Sequence, residues 1–287
     1  MPETLLEIPT NLSTLTRSLV TEDENPVDNL FSAKQRRLLV EPLYSSWQPP
    51  ALESETEEAI KPRVFLADSD VGIFISPYKP PIAPDMFLSL DVQANAEYFE
   101  NEHRAYFIWE FAKTPEVALE VVSNRKGKEM GDKMQRYAQL GIPYYIVFDP
   151  FLELSDEKLR THELAFGGRR YRRLLDHTLP DMDLSLRLWR GVFEGVEAEW
   201  LRWCKADGTI IPTGEERAKV ANELADAETA RANTETARAD TETARADTET
   251  ARANTEAARA DTEKAARLQA EAEIEKLRAE LLQLKSE

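Results

Sequence analysis

Cysteine is nearly absent from this chain: Cys204 stands alone among 287 residues. That excludes an internal disulfide and any multi-cysteine zinc site. Histidine is scarce too, and His103, His162 and His177 are too scattered to read as a metal cluster. Long apolar runs are missing. None approaches the roughly 20 residues needed to cross a bilayer, and the opening MPETLLEIPTNLSTLTRSLV has no basic-then-apolar leader. The expectation is a cytoplasmic protein in a reducing environment, without a membrane partner. Positive charge is in deficit: 36 Lys and Arg against 53 Asp and Glu leave a net −17. This is the wrong sign for gripping a polyanion nonspecifically.

Other residue types stop abruptly. No aromatic residue follows Trp203, no proline follows Pro212 and no glycine follows Gly214. At a soft prior of roughly 150 residues per domain, the length allows one or two domains with a sizeable core. The composition break places an irregular arm at 1–27, an α/β domain at 28–213 and a helical tail at 214–287. Thr213 and Glu216 have the spacing of a capping box at the start of the tail. Beyond it Arg231, Arg238, Arg245, Arg252 and Arg259 recur every seven residues, a heptad period. The Ala and Thr seam (Ala230, Thr234, Ala237, Thr241, Ala244) buries little apolar area, whereas Ile274, Leu277, Leu281 and Leu284 offer a short zipper. The tail reads either as a coiled coil, joining copies of the chain or tethering another protein, or as a single solvated helix with pairs such as Glu228 and Arg231.

Within the α/β domain, Asp28–Leu39 has helical spacing, with Leu30, Phe31, Lys34, Gln35, Leu38 and Leu39 grouped together. The segment Trp47 to Ala51 and the acidic patch Glu53 to Glu58 read as an exposed loop. Short apolar runs predict strands at 63–67, 71–76, 86–90, 106–111, 117–122 and 144–148. Further strands are expected at 159–165, 170–175 and 184–189, and a turn at 206–209. A helix over 128–140, with Met130, Met134, Tyr137 and Ala138 on one face and Gly141 as its stop, completes a strand, helix, strand unit. Trp189, Trp200 and Trp203 are expected to fill a small core rather than stack on bases.

Three positions could carry chemistry. Asp85 follows Pro84 at the mouth of the strand 86–90. Glu120 interrupts an apolar strand, where alternation puts Val117, Leu119 and Val121 on one face and Ala118, Glu120 and Val122 on the other. Lys133 falls roughly 60° from Met130 and 40° from Tyr137 on the following helix, on the face that packs on the sheet. Two converging carboxylates repel unless a positive charge sits between them, and a hard divalent cation is the usual solution. Such an ion lowers the pKa of bound water and polarises a phosphoryl oxygen, which suits phosphodiester hydrolysis. The bland readings stand beside this one: Asp85 as a turn residue, Glu120 facing solvent from a half-covered strand, Lys133 snorkelling past the core. Glu110, in Phe107-Ile-Trp-Glu-Phe111, is the rival strand acid.

Pro84-Asp85, Glu120-Val-Val-Ser123, Gly131-Asp-Lys133 with Tyr137, and Gly141-Ile-Pro-Tyr-Tyr-Ile-Val-Phe-Asp149 together resemble the Uma-two family of restriction-type endonucleases, a branch of the PD-(D/E)XK nuclease superfamily. The resemblance covers roughly 28–213. It implies a restriction-endonuclease-like fold, a mixed β-sheet flanked by helices, with Asp85 and Glu120 as ligands of Mg²⁺ (or Mn²⁺) and DNA as substrate. The superfamily lysine lies two residues after the second acid, where this chain has Val122, so the resemblance moves that role to Lys133. An extra acid, Glu41 or Glu53, is left open. Arg125, Lys126 and Lys128, and Arg169, Arg170, Arg172 and Arg173, are basic clusters readable either as phosphate contacts or as ordinary surface. The alternative to an endonuclease is a non-catalytic nuclease-fold module that recruits partners through the tail.

Overall fold

The computed structural model describes residues 29–51, 63–94, 103–123, 129–168 and 170–284, with side chains as far as residue 282. The expected arm 1–27, the acidic patch Glu53 to Glu58, Arg125, Lys126, Lys128 and Arg169 lie outside the described residues. The chain divides into two compact units, Met1–Arg217 and Ala218–Glu287.

The first unit is built on a mixed sheet of six strands: β1 (Phe65–Asp68), β3 (Met86–Leu90), β5 (Val117–Val121), β6 (Tyr144–Phe148), β7 (Leu159–Leu164) and β8 (Tyr171–Leu174), adjacent in that order. Only β5 and β6 run parallel; their neighbours pair antiparallel. That parallel pair needs a crossover, supplied by a π-helical turn at Glu129–Lys133 and helix α3 (Met134–Leu140). Gly141 closes α3 in the left-handed region at φ 80°, as expected of a helix-stopping glycine. The short β2 (Ile73–Phe74) and β4 (Tyr106–Phe107) form a parallel pair. A second sheet joins β9 (Thr178–Leu179), β10 (Leu184–Phe193) and β11 (Val196–Lys205).

Strand alternation sets the two faces of β5 in different cores. Val117, Leu119 and Val121 share one with Ile146, Phe148, Leu201 and Trp203, together with Leu39 and Leu43 of helix α1 (Leu30–Ser46). Ala118 and Val122 share the other with Tyr137, Tyr145 and Val147. Asn29 caps α1 by accepting the Ser32 N–H at 2.8 Å. Gln35 of α1 is fully buried and bonds both main-chain groups of Leu201, each at 2.9 Å. The Trp203 indole adds a third tie by donating to the Leu39 carbonyl at 2.9 Å. These polar contacts fix the rotation of α1 about its axis, which in turn sets where Arg36 points.

Several expectations need correction. Ile108–Phe111 is a short helix, α2, rather than the continuation of a strand. Glu110 on it is exposed, which removes it as a rival strand acid. Leu30 is solvent-facing, and Trp47 is buried rather than part of an exposed loop. Met130 is also exposed: Gly131 leaves helical geometry (φ −123°, ψ −106°), so Met130 does not share the face of Tyr137. Trp200 and Trp203 are buried as expected, while Trp189 is half-buried beneath the Arg202 guanidinium, 4.9 Å from its ring centroid.

Helix α4 (Gly214–Leu284) begins with the expected capping box: the Glu216 N–H donates to Thr213 Oγ1 at 3.1 Å, and the Thr213 N–H donates to Glu216 Oε2 at 2.8 Å. No helix among the described residues is long and apolar enough to cross a membrane.

Candidate active site

The antiparallel ladder between β3 and β5 ends at Met86 opposite Leu119. One step further brings Asp85 opposite Glu120, on the same face of the sheet. Asp85 is tied to the residue after Glu120, because its Oδ2 accepts the N–H of Val121 at 2.7 Å. Asp85 retains 15% exposure of its side chain and Glu120 only 2%. The acid pair therefore has a wet end and a dry end.

The dry end is served by the crossover. Lys133 donates to Glu120 Oε2 at 2.8 Å, and the buried Tyr137 hydroxyl, one helical turn on, donates to Glu120 Oε1 at 2.7 Å. A lysine and a tyrosine four apart lie on one helical face, so a single carboxylate receives both. Neither bland reading of these positions survives: Glu120 does not face solvent, and the Lys133 ammonium does not snorkel away from it. Burial pushes the Glu120 carboxyl up to about 8, and the neighbouring Asp85 charge adds to that rise against the opposing pull of Lys133 and Tyr137. Burial and the same carboxylate hold the Tyr137 hydroxyl well above its ordinary value, so it remains a donor.

At the wet end Arg36 of α1 donates from Nη1 to Asp85 Oδ1 at 2.7 Å and to Asp70 Oδ1 at 2.8 Å. Sequence reasoning passed over Arg36 and Asp70. The available signal was the spacing of Arg36, Leu39 and Leu43, which sets an arginine on the apolar stripe of α1.

The donor set can be compared with what a divalent ion requires. Two carboxylates with oxygen donors suit Mg²⁺ or Mn²⁺. Each of their four oxygens accepts one hydrogen bond described above and retains room for a second contact. Burial is the main cause of the raised Glu120 pKa and the neighbouring Asp85 charge adds to it; a bound cation would offset both. Among the described residues no three His, Cys, Asp or Glu side chains gather closely enough to hold an ion. Two protein ligands with water and substrate oxygens completing the sphere is the usual habit of Mg²⁺. The residues fit. Glu41 accepts the Gly214 N–H on Oε1 at 2.9 Å and does not gather with Asp85 and Glu120 into a three-acid group, and Glu53 lies outside the described residues.

No curated protein and no solved structure matches the chain. Residues 51–182, which include Asp85, Glu120, Lys133 and Tyr137, match the model of a family described as "Putative restriction endonuclease". The segment that holds the acid pair is thus similar to the Uma2 family, whose description supports a nuclease-type function.

Proposed function

We propose that the protein is a divalent-metal-dependent endonuclease hydrolysing DNA phosphodiester bonds. Asp85 and Glu120 would hold Mg²⁺, with Mn²⁺ as a substitute, and Lys133 activates or orients the attacking water through its ammonium. The observation that carries this reading is that Lys133 donates to Glu120, while Asp85, opposite Glu120 in register, accepts the Val121 N–H and keeps 15% of its side chain exposed. When bound, the ion would lower the pKa of water and polarise a phosphoryl oxygen. Glu120 holds the Lys133 ammonium at a fixed place, and Tyr137 holds Glu120. Val121 N–H and Arg36 orient Asp85. Lys133 keeps 31% of its side chain exposed, enough to meet a substrate oxygen from the solvent side.

Charge is the main objection. The net −17 repels DNA, and two of the basic candidates are already occupied: Arg172 pairs with Glu163 and Arg173 with Glu157. This favours, as second reading, a non-catalytic nuclease-fold module. In either case residues 214–287 would serve to join two copies of the chain.

The discriminating experiment incubates the protein with plasmid DNA and Mg²⁺ or Mn²⁺. Cutting is expected in the wild type, with a loss of at least about a hundredfold in Asp85→Ala and Glu120→Ala. Cutting undiminished in both variants would remove these residues from the reaction. No cutting, together with no divalent binding by calorimetry, would establish the module.

A further inference from the structure

Helix α1 precedes the segment 51–182 that matches the family, yet it delivers a guanidinium to Asp85. Arg36 is only 5% exposed and shares Nη1 between Asp85 at 2.7 Å and Asp70 at 2.8 Å. Its Nη2 is sealed from solvent and has no hydrogen-bond partner among the described residues. An arginine placed to grip a phosphate would present its open nitrogen to the substrate; this one is turned into the protein and spends its accessible nitrogen on two acids. Burying a guanidinium with one nitrogen unsatisfied is costly. The two acceptors also differ, since the Asp85 side chain is 15% exposed and that of Asp70 is 53% exposed.

We propose that Arg36 is the resident counter-ion of Asp85, competing with the divalent cation for it, and that Asp70 holds Arg36 when the cation takes Asp85. The pair Arg36–Asp70 thereby sets the metal affinity of the site. This inference rests on the reading of Asp85 and Glu120 as metal ligands. Its physical basis is the repulsion between a guanidinium hydrogen-bonded to one ligand oxygen and a doubly charged ion on the same carboxylate, in a partly buried site where screening is weak. Arg36 is a positioning residue here, acting through Asp85.

The test is isothermal calorimetry of the full chain with Mn²⁺ alone, so that no cleavage is read. Arg36→Met should tighten Mn²⁺ binding by at least about tenfold, the removed repulsion outweighing any loss of Asp85 orientation. Asp70→Asn should weaken binding several-fold, because Asp85 then holds the guanidinium without a competing acid. Arg36→Lys, which keeps the charge, should stay close to wild type. A residue of merely structural importance would weaken binding when removed and would not give opposite signs at Arg36 and Asp70. Unchanged or weaker binding in Arg36→Met overturns the inference. If that variant does not fold, unchanged affinity in Asp70→Asn, whose side chain is half in solvent, overturns it equally. Binding that Asp85→Ala abolishes but Arg36→Met leaves alone would sink this inference and spare the metal-ligand reading. Absence of Mn²⁺ binding in the wild type and in Arg36→Met alike would end both.

Discussion

Glu120 is held in the interior at a thermodynamic cost, and the sign of that cost can be followed through pH. Its folded-state value of about 8 stands above the ordinary 4.5, so the fold favours the protonated acid. Below the ordinary value there is no penalty. Between about 4.5 and 8 the unfolded chain releases the proton more readily, so the metal-free fold loses stability as pH rises and has lost the whole increment above 8. The increment is on the order of several kcal/mol. Glu120→Gln keeps the shape without the charge, its one amide oxygen accepting from Lys133 and its amide nitrogen donating to the Tyr137 hydroxyl oxygen. In chelator-treated protein it should melt roughly 5 °C or more above wild type at pH 8.5, with the gap closing near pH 4.5, as scanning calorimetry would read. A variant less stable than wild type at pH 8.5 would mean that the Lys133 pair outweighs desolvation and that the acid is already satisfied.

At the scale of elements, what could be read from the sequence depended on whether the determining contacts are local. Strands β3 and β6 have the expected bounds because each is a short apolar run flanked by turn residues, and both faces of β5 follow from period-two alternation alone. Lys133 also followed from local angle: it reaches Glu120 even though Gly131 disrupts the turn before it. Helix α2 was not legible, since four residues give no periodicity to distinguish a helical turn from a strand end. Neither was the Arg36 contact with Asp85, which depends on α1 being seated through Gln35 and Trp203, partners far away in sequence. The β10–β11 hairpin shows a packing dependence that composition alone does not disclose. A Cβ at Gly191 would lie only 2.0 Å from the Trp189 ring, and that ring carries the stacked Arg202, which in turn binds Glu216 with two hydrogen bonds at 2.7 and 3.0 Å. Gly191→Ala is therefore expected to expel the indole, destabilise the domain by about 1–3 kcal/mol, and red-shift tryptophan fluorescence. An unshifted emission spectrum with unaltered denaturation midpoint would show that Trp189 has another place to go.

For the whole molecule, the open question is what residues 218–284 do with their exposed faces. The repeat offers two Ala/Thr stripes, and charge distinguishes them. The stripe of Ala237, Thr241, Ala244 and Thr248 is flanked on one side by Arg238, Arg245 and Arg252 and on the other by Asp240 and Asp247. The stripe of Ala239, Thr243 and Ala246 has Asp240 and Asp247 on one flank and Glu242 and Glu249 on the other, so two copies meeting there would repel. With the first stripe as seam, a parallel in-register pair sets Asp240 against Arg245 of the other copy and Asp247 against Arg252, whereas an antiparallel pair would match like charges. The threonines suit such a seam because their hydroxyls already donate to the carbonyl four residues back, as Thr241 does to Ala237 at 2.8 Å and Thr248 to Ala244 at 2.7 Å. They can then present methyl groups without stranding a polar atom. Continued at seven-residue intervals this stripe reaches Ala265, Ala272 and Ala279, so Ile274, Leu277 and Leu281, each half exposed, lie off it. The lone native thiol, Cys204, is buried, so an introduced cysteine reports cleanly. Oxidised Ala244→Cys should run as a disulfide-linked dimer, while Ala246→Cys on the opposing stripe should remain monomeric under the same conditions. Light scattering of the intact chain should give twice its mass, falling to that of the monomer in Arg238→Glu/Arg245→Glu/Arg252→Glu. Equal cross-linking at both positions, or a monomeric intact chain, would instead leave a solitary helix stabilised by its own charges.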